Sequence, residues 1–410
     1  MTSRERVLMA LNHSEPDRVP LDMGGSFVTG IAATALHHLR RHLGLEDRPV
    51  KVYDAFQMLG EVEMDVVNRL QLDCLPVHPS SLTMGLKWRD WKPWTLMDGT
   101  EVLIMGDFDV SVTGEGDWLF HQGGDPSNPP VCRMPKDGYY FDTIGYGDFN
   151  MDWEPPPLDE LTKSWGDRTV SDEELQFLVD QADRNRTTDK ASVLGAWPYL
   201  GLDYIGSLTD FWALLGRDPG YVKALFAAST EWALVNLKRL WDALGDKIDV
   251  ICVTGLDFGT QRTEYFDPNT FIDVYEPFLR QQFQWVKQNT SWKSFEHCDG
   301  SITNLIPHMV EYGLDALNPL QTSAAGMDPA WLKETFGDRL SFWGGGTETQ
   351  STLPFGTPEE VREEVRERIR ILAPGGGFVF NPIHNIQPNT PAENIAAAYE
   401  AAREFGAYPI

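Results

Sequence analysis

Lys293-Ser294-Phe295-Glu296-His297-Cys298-Asp299-Gly300 reads as a short strand ending in four groups able to bind a metal, closed by a glycine. On a strand, alternate side chains share a face. His297 and Asp299 therefore point one way, and Glu296 and Cys298 the other. Outward from this stretch, short apolar runs alternate with amphipathic ones. The runs at 19–22, 74–77, 192–197, 250–256, 293–298, 316–320, 340–343 and 378–382 read as strands. Those at 230–244, 271–288 and 358–372 read as helices. Thr357-Pro358-Glu359-Glu360 and Asp267-Pro268 look like helix starts. Strand–helix alternation implies a parallel sheet, and eight such strands predict an α/β fold, a closed (β/α)8 TIM barrel. We expect one domain over residues 1–410.

One region breaks the rhythm. Residues 86–157 are rich in Trp, Gly, Pro and Asp, with hairpin-like turns at Asp98-Gly99 and Gly114-Glu115-Gly116. This predicts an antiparallel β insertion. Its aromatics Trp88, Trp91, Trp94, Trp118 and Phe120 either pack the insertion onto the barrel or wall a substrate pocket.

The formal charge of −27 argues against nucleic acid or an anionic membrane surface as partner, because phosphate binding needs clustered Lys and Arg. Cys74, Cys132, Cys252 and Cys298 form no CxxC pair, which suits a reducing compartment. The first residues lack an apolar signal core, and no run of apolar residues is long enough to span a bilayer. A cytoplasmic enzyme is expected.

In a barrel, chemistry sits at the C-terminal strand ends. His297 and Asp299 lie at one such end and His384 at another. Together they would make a three-ligand site with an open fourth position, as catalytic zinc needs; another divalent metal is the alternative. The same His-x-Asp pair could instead be only hydrogen-bonded. Asp257 ends a third apolar run and is suited to orient substrate, act as a base, or cap its loop. The glycines of Gly344-Gly345-Gly346 admit a close ligand or simply a tight turn. There is no P-loop, no G-x-S-x-G and no H-E-x-x-H.

These strand ends, in this order, resemble the uroporphyrinogen decarboxylase-like superfamily. Leu256-Asp257-Phe258-Gly259-Thr260-Gln261 is similar to its Asp-Asp-Leu-Gly-Thr-Gln segment, and His297-Cys298-Asp299-Gly300-Ser301 to its His-Ser-Asp-Gly-Asn segment. Arg4-Glu5-Arg6-Val7, Glu15-Pro16-Asp17-Arg18-Val19-Pro20, Asn318-Pro319-Leu320-Gln321 and the stretch 374–393 also match. The resemblance implies a barrel with its cleft at the strand C-termini. The decarboxylases of the superfamily carry an arginine-rich N-terminal segment for a many-carboxylate tetrapyrrole. Here no arginine follows Arg18 until Arg40, so that substrate is not expected.

The other branch, the corrinoid-linked methyltransferases, binds zinc through His-x-Cys…Cys. Laid on that pattern, His297 stays, Asp299 replaces the first cysteine and His384 takes the region of the second. Cys298 is an alternative ligand. Imidazole and carboxylate form a harder set that favours oxygen chemistry. The resemblance thus implies a metal-dependent methyltransferase moving a methyl group from a small methylated substrate, such as an aryl methyl ether, to the cobalt of a separate corrinoid protein. Asp257 and Glu296 are the expected proton-handling residues, with Gln261, Gln321 and Asn385 as substrate contacts. A homodimer is the expected assembly. A decarboxylase or hydrolase on the same residues, or a ligand-binding protein without catalysis, are the competing expectations.

Overall fold

Alternation along each apolar run decides which side chains fill the cylinder. The computed structural model describes residues 1–195 and 199–410. Its seven-stranded sheet runs, in order, Phe378–Val379, Ser341–Trp343, Ala316–Asn318, Lys293–His297, Val250–Gly255, Ala191–Leu194 and Cys74–Val77. All neighbours pair in parallel. One parity of these strands points inward. Cys74, Ala191, Val193, Val250, Cys252, Phe295, Ala316, Trp343 and Val379 form one buried cluster, joined by Val7 and Leu11 of helix Ser3–Leu11. The other parity, including Leu75, Val77, Ile251, Val253, Leu317 and Phe342, packs under the surrounding helices. The interior is thus a filled core, as barrels require.

The expected strand at 19–22 closes the cylinder. Leu21 bridges Phe380 in parallel. Phe380 N–H donates to Pro20 O at 2.8 Å, and on the other side Asp73 N–H donates to Leu21 O at 2.8 Å. The segment thus links the two outermost strands of the sheet. It is a bridge rather than a full ladder, because Pro20 has no N–H to give. The expected strand at 192–197 is present as Ala191–Leu194, and residues 196–198 lie outside the described residues. The helix expected at 358–372 is Pro358–Leu372, with Thr357 and Glu360 forming a reciprocal capping box. The 271–288 pattern divides into a π-helical turn, Phe271–Tyr275, and the helix Glu276–Asn289. Pro277, which cannot donate a hydrogen bond, accounts for the widened turn.

Two further sheets sit apart from the barrel strands. Ser111–Val112, Trp118–His121, Pro130–Met134 and Asp142–Thr143 form an antiparallel sheet. Lys92–Thr95 and Glu101–Ile104 form the hairpin expected around Asp98-Gly99. This second sheet departs from the expectation in one respect. It recruits Val50–Asp54 and Leu59–Gly60 from outside 86–157, and Val50–Asp54 pairs in parallel with Glu101–Ile104. Trp94 meets Phe108 and Trp118, and Phe108 meets Phe120 and Phe141, so these rings pack the insertion's own core. Phe141 N–H donates to Phe56 O at 2.8 Å and ties the insertion to the turn after Val50–Asp54. No helix among the described residues is long and apolar enough to cross a membrane.

Candidate functional site

Strand parity builds the site. Phe295 points into the barrel, so His297 and Asp299 follow it on the same face toward the mouth. His384 arrives from the far side, beyond strand Phe378–Val379. It holds a positive φ of 67°, a conformation few non-glycine residues adopt. Ile383 N–H to Thr347 O and Ile386 N–H to Gly30 O, each 3.0 Å, pin the chain on both sides of it. The three residues meet. His297 Nε2 lies 3.4 Å and His384 Nε2 3.8 Å from Asp299 Oδ2. One ligand atom from each falls within 4.8 Å of the others. Ligands of a tetrahedral ion at ~2.1 Å lie ~3.4 Å apart, so the separations are close to a coordination shell.

His297 is preset as a ligand. Its Nδ1 lies 2.8 Å from Asn318 Oδ1, while Asn318 Nδ2 donates to Trp343 O at 2.7 Å. The second bond fixes the amide, so Asn318 presents an acceptor to His297. When the ring is neutral its proton sits on Nδ1 and the Nε2 lone pair faces the mouth. His384 is arranged differently. Asn385 N–H donates to its Nδ1 at 2.7 Å, which leaves the proton of a neutral ring on Nε2. Offering the Nε2 lone pair to an ion requires that proton to move to Nδ1 and the ring to shift off the Asn385 N–H, and the cavity beside it leaves room. The donor set therefore fits one divalent ion held by His297, Asp299 and His384.

Charge supports the same arrangement. Burial opposes protonation of His297, but the charge and hydrogen bond of Asp299, with Asp257 and Asn318, outweigh it and raise its pKa to about 9. Burial lowers His384 to about 4 against the pull of Asp299. Burial pushes Asp299 up, yet His297 and His384 hold it below the ordinary carboxylate range. Partial withdrawal from solvent raises Asp257, against His297 and with Asp299. Asp257 Oδ1 accepts from Asp299 N–H at 2.9 Å and lies 3.9 Å from His297 Nε2. Its side chain is 47% exposed, so it opens to the cleft.

The other expected residues divide. Gln321 Oε1 accepts from Gly300 N–H at 2.7 Å, and its Nε2 donates to Gln261 Oε1 at 3.0 Å. Gln261 in turn donates to Gln350, so an amide chain runs along the loop ends of this rim. Three expectations are corrected. Glu296 does not face the cleft. It is fully buried, hydrogen-bonded by the Tyr312 hydroxyl of helix Ile306–Tyr312, and pushed up to about 8 by burial. Its neighbour His297 takes the inward parity, which leaves Glu296 the outward one. Asn385 does not offer its amide to a substrate. Its Oδ1 accepts from Gly30 N–H at 2.5 Å, and its Nδ2 donates to Phe27 O and Gln57 Oε1 at 2.9 Å. Cys298 likewise turns away, its sulfur accepting from Phe258 N–H at 3.4 Å. The glycines at 344–346 serve a tight turn: a Cβ on Gly345 would sit 2.8 Å from Leu320 Cβ.

Sequence reasoning gave no role to Asn318, although it too ends an apolar run. Nor did it find Tyr146 and Tyr265, whose phenols the Asp257 charge helps to raise, after burial. A second trio, Glu276, His308 and Glu311, lies on the outer helices, but Arg280 already neutralises Glu276 there.

Residues 205–405 match the family model of uroporphyrinogen decarboxylase (URO-D). A uroporphyrinogen decarboxylase of Nostoc punctiforme is 23% identical over 176 residues, 41% of this chain and 48% of that protein. The match thus spans about half the length of that relative. One from Pseudoalteromonas atlantica is 22% identical over 65% of this chain and 76% of its own. Among solved structures, a methyltransferase from Methanosarcina mazei covers 99% of both chains with a TM-score of 0.55 at 15% identity. The matched stretch carries Asp257, His297, Asp299 and His384 on one rim of a closed parallel barrel. Over residues 205–405 the chain is similar to the uroporphyrinogen decarboxylase family.

Proposed function

We propose that this protein, acting as one domain over residues 1–410, is a metal-dependent methyltransferase that takes a methyl group from the oxygen of a small aryl methyl ether. The acceptor would be the reduced corrinoid of a separate partner protein. The observation that carries this reading is the convergence of His297, Asp299 and His384 within 4.8 Å on one rim. The fold likeness to a methyltransferase supports it. When bound, zinc or another divalent ion supplies Lewis-acid polarisation of the ether oxygen. The chain's own residues do the rest. Asn318 orients His297. Asp257, exposed in the cleft beside them, holds the proton taken up by the departing oxygen. Gln261 and Gln321 position the substrate from the amide chain. The C–O bond breaks, the methyl group leaves to the acceptor, and the oxygen retains the electron pair and is protonated.

The N-terminal arginines weigh against a many-carboxylate substrate. Arg18 is bound to Asp73 at 2.7 Å, Arg6 to Asp17 and Asp73, and Arg4 to Asp249. All are committed to structural ion pairs. Two measurements test the proposal. Elemental analysis should give about one equivalent of divalent metal, lost in His297→Ala. Demethylation of a methoxyarene should require a reduced corrinoid protein; turnover without one, or carbon dioxide release from a carboxylated substrate, would overturn it.

A further inference from the structure

A cavity of about 290 Å3 opens beside His384. His384 and Gln387 line it from the barrel, Phe56 and Gln57 from the turn after Val50–Asp54, and Tyr140 and Asp142 from the insertion. This volume lies at the low end for small-molecule sites. It suits a single ring and is far too small for a tetrapyrrole. Phe56 and Tyr140 supply ring faces on which an arene can pack. Gln57 Oε1 is taken by Asn385, while its Nε2 makes a long bond of 3.5 Å to Phe27 O and its side chain also bears on Asp54.

The charge of the cavity is its selective feature. Among the described residues that line it, Asp142 is acidic and none is a lysine or arginine. Arg133 stands opposite Asp142 in the hairpin register, but it is committed to Asp117, with Nε 2.7 Å from Oδ2. Asp142 has no ion-pair partner among the described residues. A ring substituent that is anionic and points away from the ion site meets Asp142 with no lysine or arginine beside it.

We infer that this cavity is the ring subsite of the reaction proposed above, and that it selects uncharged single-ring methoxyarenes over aryl carboxylates. The inference rests on His384 belonging to the metal cluster. Tyr140 and Phe56 hold the ring, and Asp142 repels an anionic ring substituent.

Calorimetric titration of the full chain with 2-methoxyphenol and with 4-hydroxy-3-methoxybenzoate tests it, with metal content measured on the same preparations. The phenol should bind about threefold more tightly, as one like charge on a solvent-exposed side chain implies. Asp142→Asn should narrow the gap by strengthening the benzoate alone. Tyr140→Ala, a half-exposed position, should weaken both about tenfold and leave metal content unchanged. Equal or tighter benzoate binding, or an unchanged ratio in Asp142→Asn, overturns the selectivity. Metal-replete protein that binds neither probe overturns the ring subsite and leaves the metal cluster standing. Selective binding by protein that takes up no metal when zinc is added overturns the cluster and, with it, the placing of this cavity beside the reacting oxygen.

Discussion

Metal binding at this rim should release one proton at neutral pH, and the source of that proton is specific. In the metal-free protein His297 is raised to about 9 and His384 lowered to about 4, while Asp299 is held below the ordinary carboxylate range. Between about pH 5 and 8, His297 is therefore protonated, His384 neutral and Asp299 ionised. An ion needs the Nε2 lone pair of His297, so it must displace that proton. The sign follows from the raised pKa: affinity climbs with pH until the pH passes about 9 and then levels. Each pH unit below that point costs a factor of about ten, so zinc should bind about 100-fold more weakly at pH 6 than at pH 8. Below about pH 4, His384 adds a second proton and the slope doubles. Competition with a chelator from pH 5.5 to 9, and calorimetry at pH 7 in buffers of different ionisation enthalpy, give the slope and the proton count. A count near zero would mean that His297 is not a ligand. A count of two would mean that His384 is held protonated, against the burial argued for it.

Three further outcomes follow from the same contacts. Asn318→Ala should weaken metal binding about 10- to 100-fold, because His297 loses the acceptor that fixes its tautomer; unchanged affinity would refute the orienting role. Glu296→Gln should leave metal content untouched and alter only stability. With its folded pKa raised to about 8 from 4.5, wild-type Glu296 contributes stability at low pH that is lost as pH rises through that window, by at most roughly 1.4 kcal/mol per unit. The variant should match wild type near pH 5 and exceed it by pH 8 in thermal melts, and a constant difference would contradict the burial reading. His384→Ala should lose metal whereas Cys298→Ser should keep it, since the Cys298 sulfur faces the Phe258 backbone. Elemental analysis of both settles the point, and loss in Cys298→Ser would restore that cysteine as a ligand.

The period-two rule explains why half of this site was legible. Phe295, His297 and Asp299 share a parity, and Glu296 and Cys298 share the other, so the split between cleft and outer layer could be read from spacing alone. Convergence of His384 was legible because barrel strand ends share one rim. What spacing cannot encode is the orientation of a side chain beyond the strand end. Asn385 lies next to His384, yet its amide is consumed by Gly30, Phe27 and Gln57, three partners distant in sequence. The role of Asn318 depends on a bond to Trp343 in the next strand. The recruitment of Val50–Asp54 into the insertion was hidden for the same reason, since strand pairing is non-local and Val50-Lys51-Val52 carries no turn signal of its own.

The ligand set and the cavity bear on the same chemical choice from independent directions. Two imidazoles and a carboxylate are hard donors and leave a bound ion suited to an oxygen rather than a thiolate. The cavity beside them offers ring faces and a carboxylate, but no lysine or arginine among the described residues that line it. A thiol substrate would gain little from such an ion, and a carboxylated one would meet Asp142 unopposed. A neutral ether oxygen on an aromatic ring satisfies both constraints at once. His384 is common to both, but Asp299 sets the softness of the ion and Asp142 the charge of the cavity, so the two constraints can be separated. Asp299→Cys should soften the ion site and shift affinity toward thiols without changing how the cavity ranks neutral and anionic rings. Competition of 2-methoxyphenol and its benzoate counterpart on that variant decides the matter. If their ranking moved with the ligand swap, the cavity and the ion site would not be independent, and the neutral-ether reading would lose its second support.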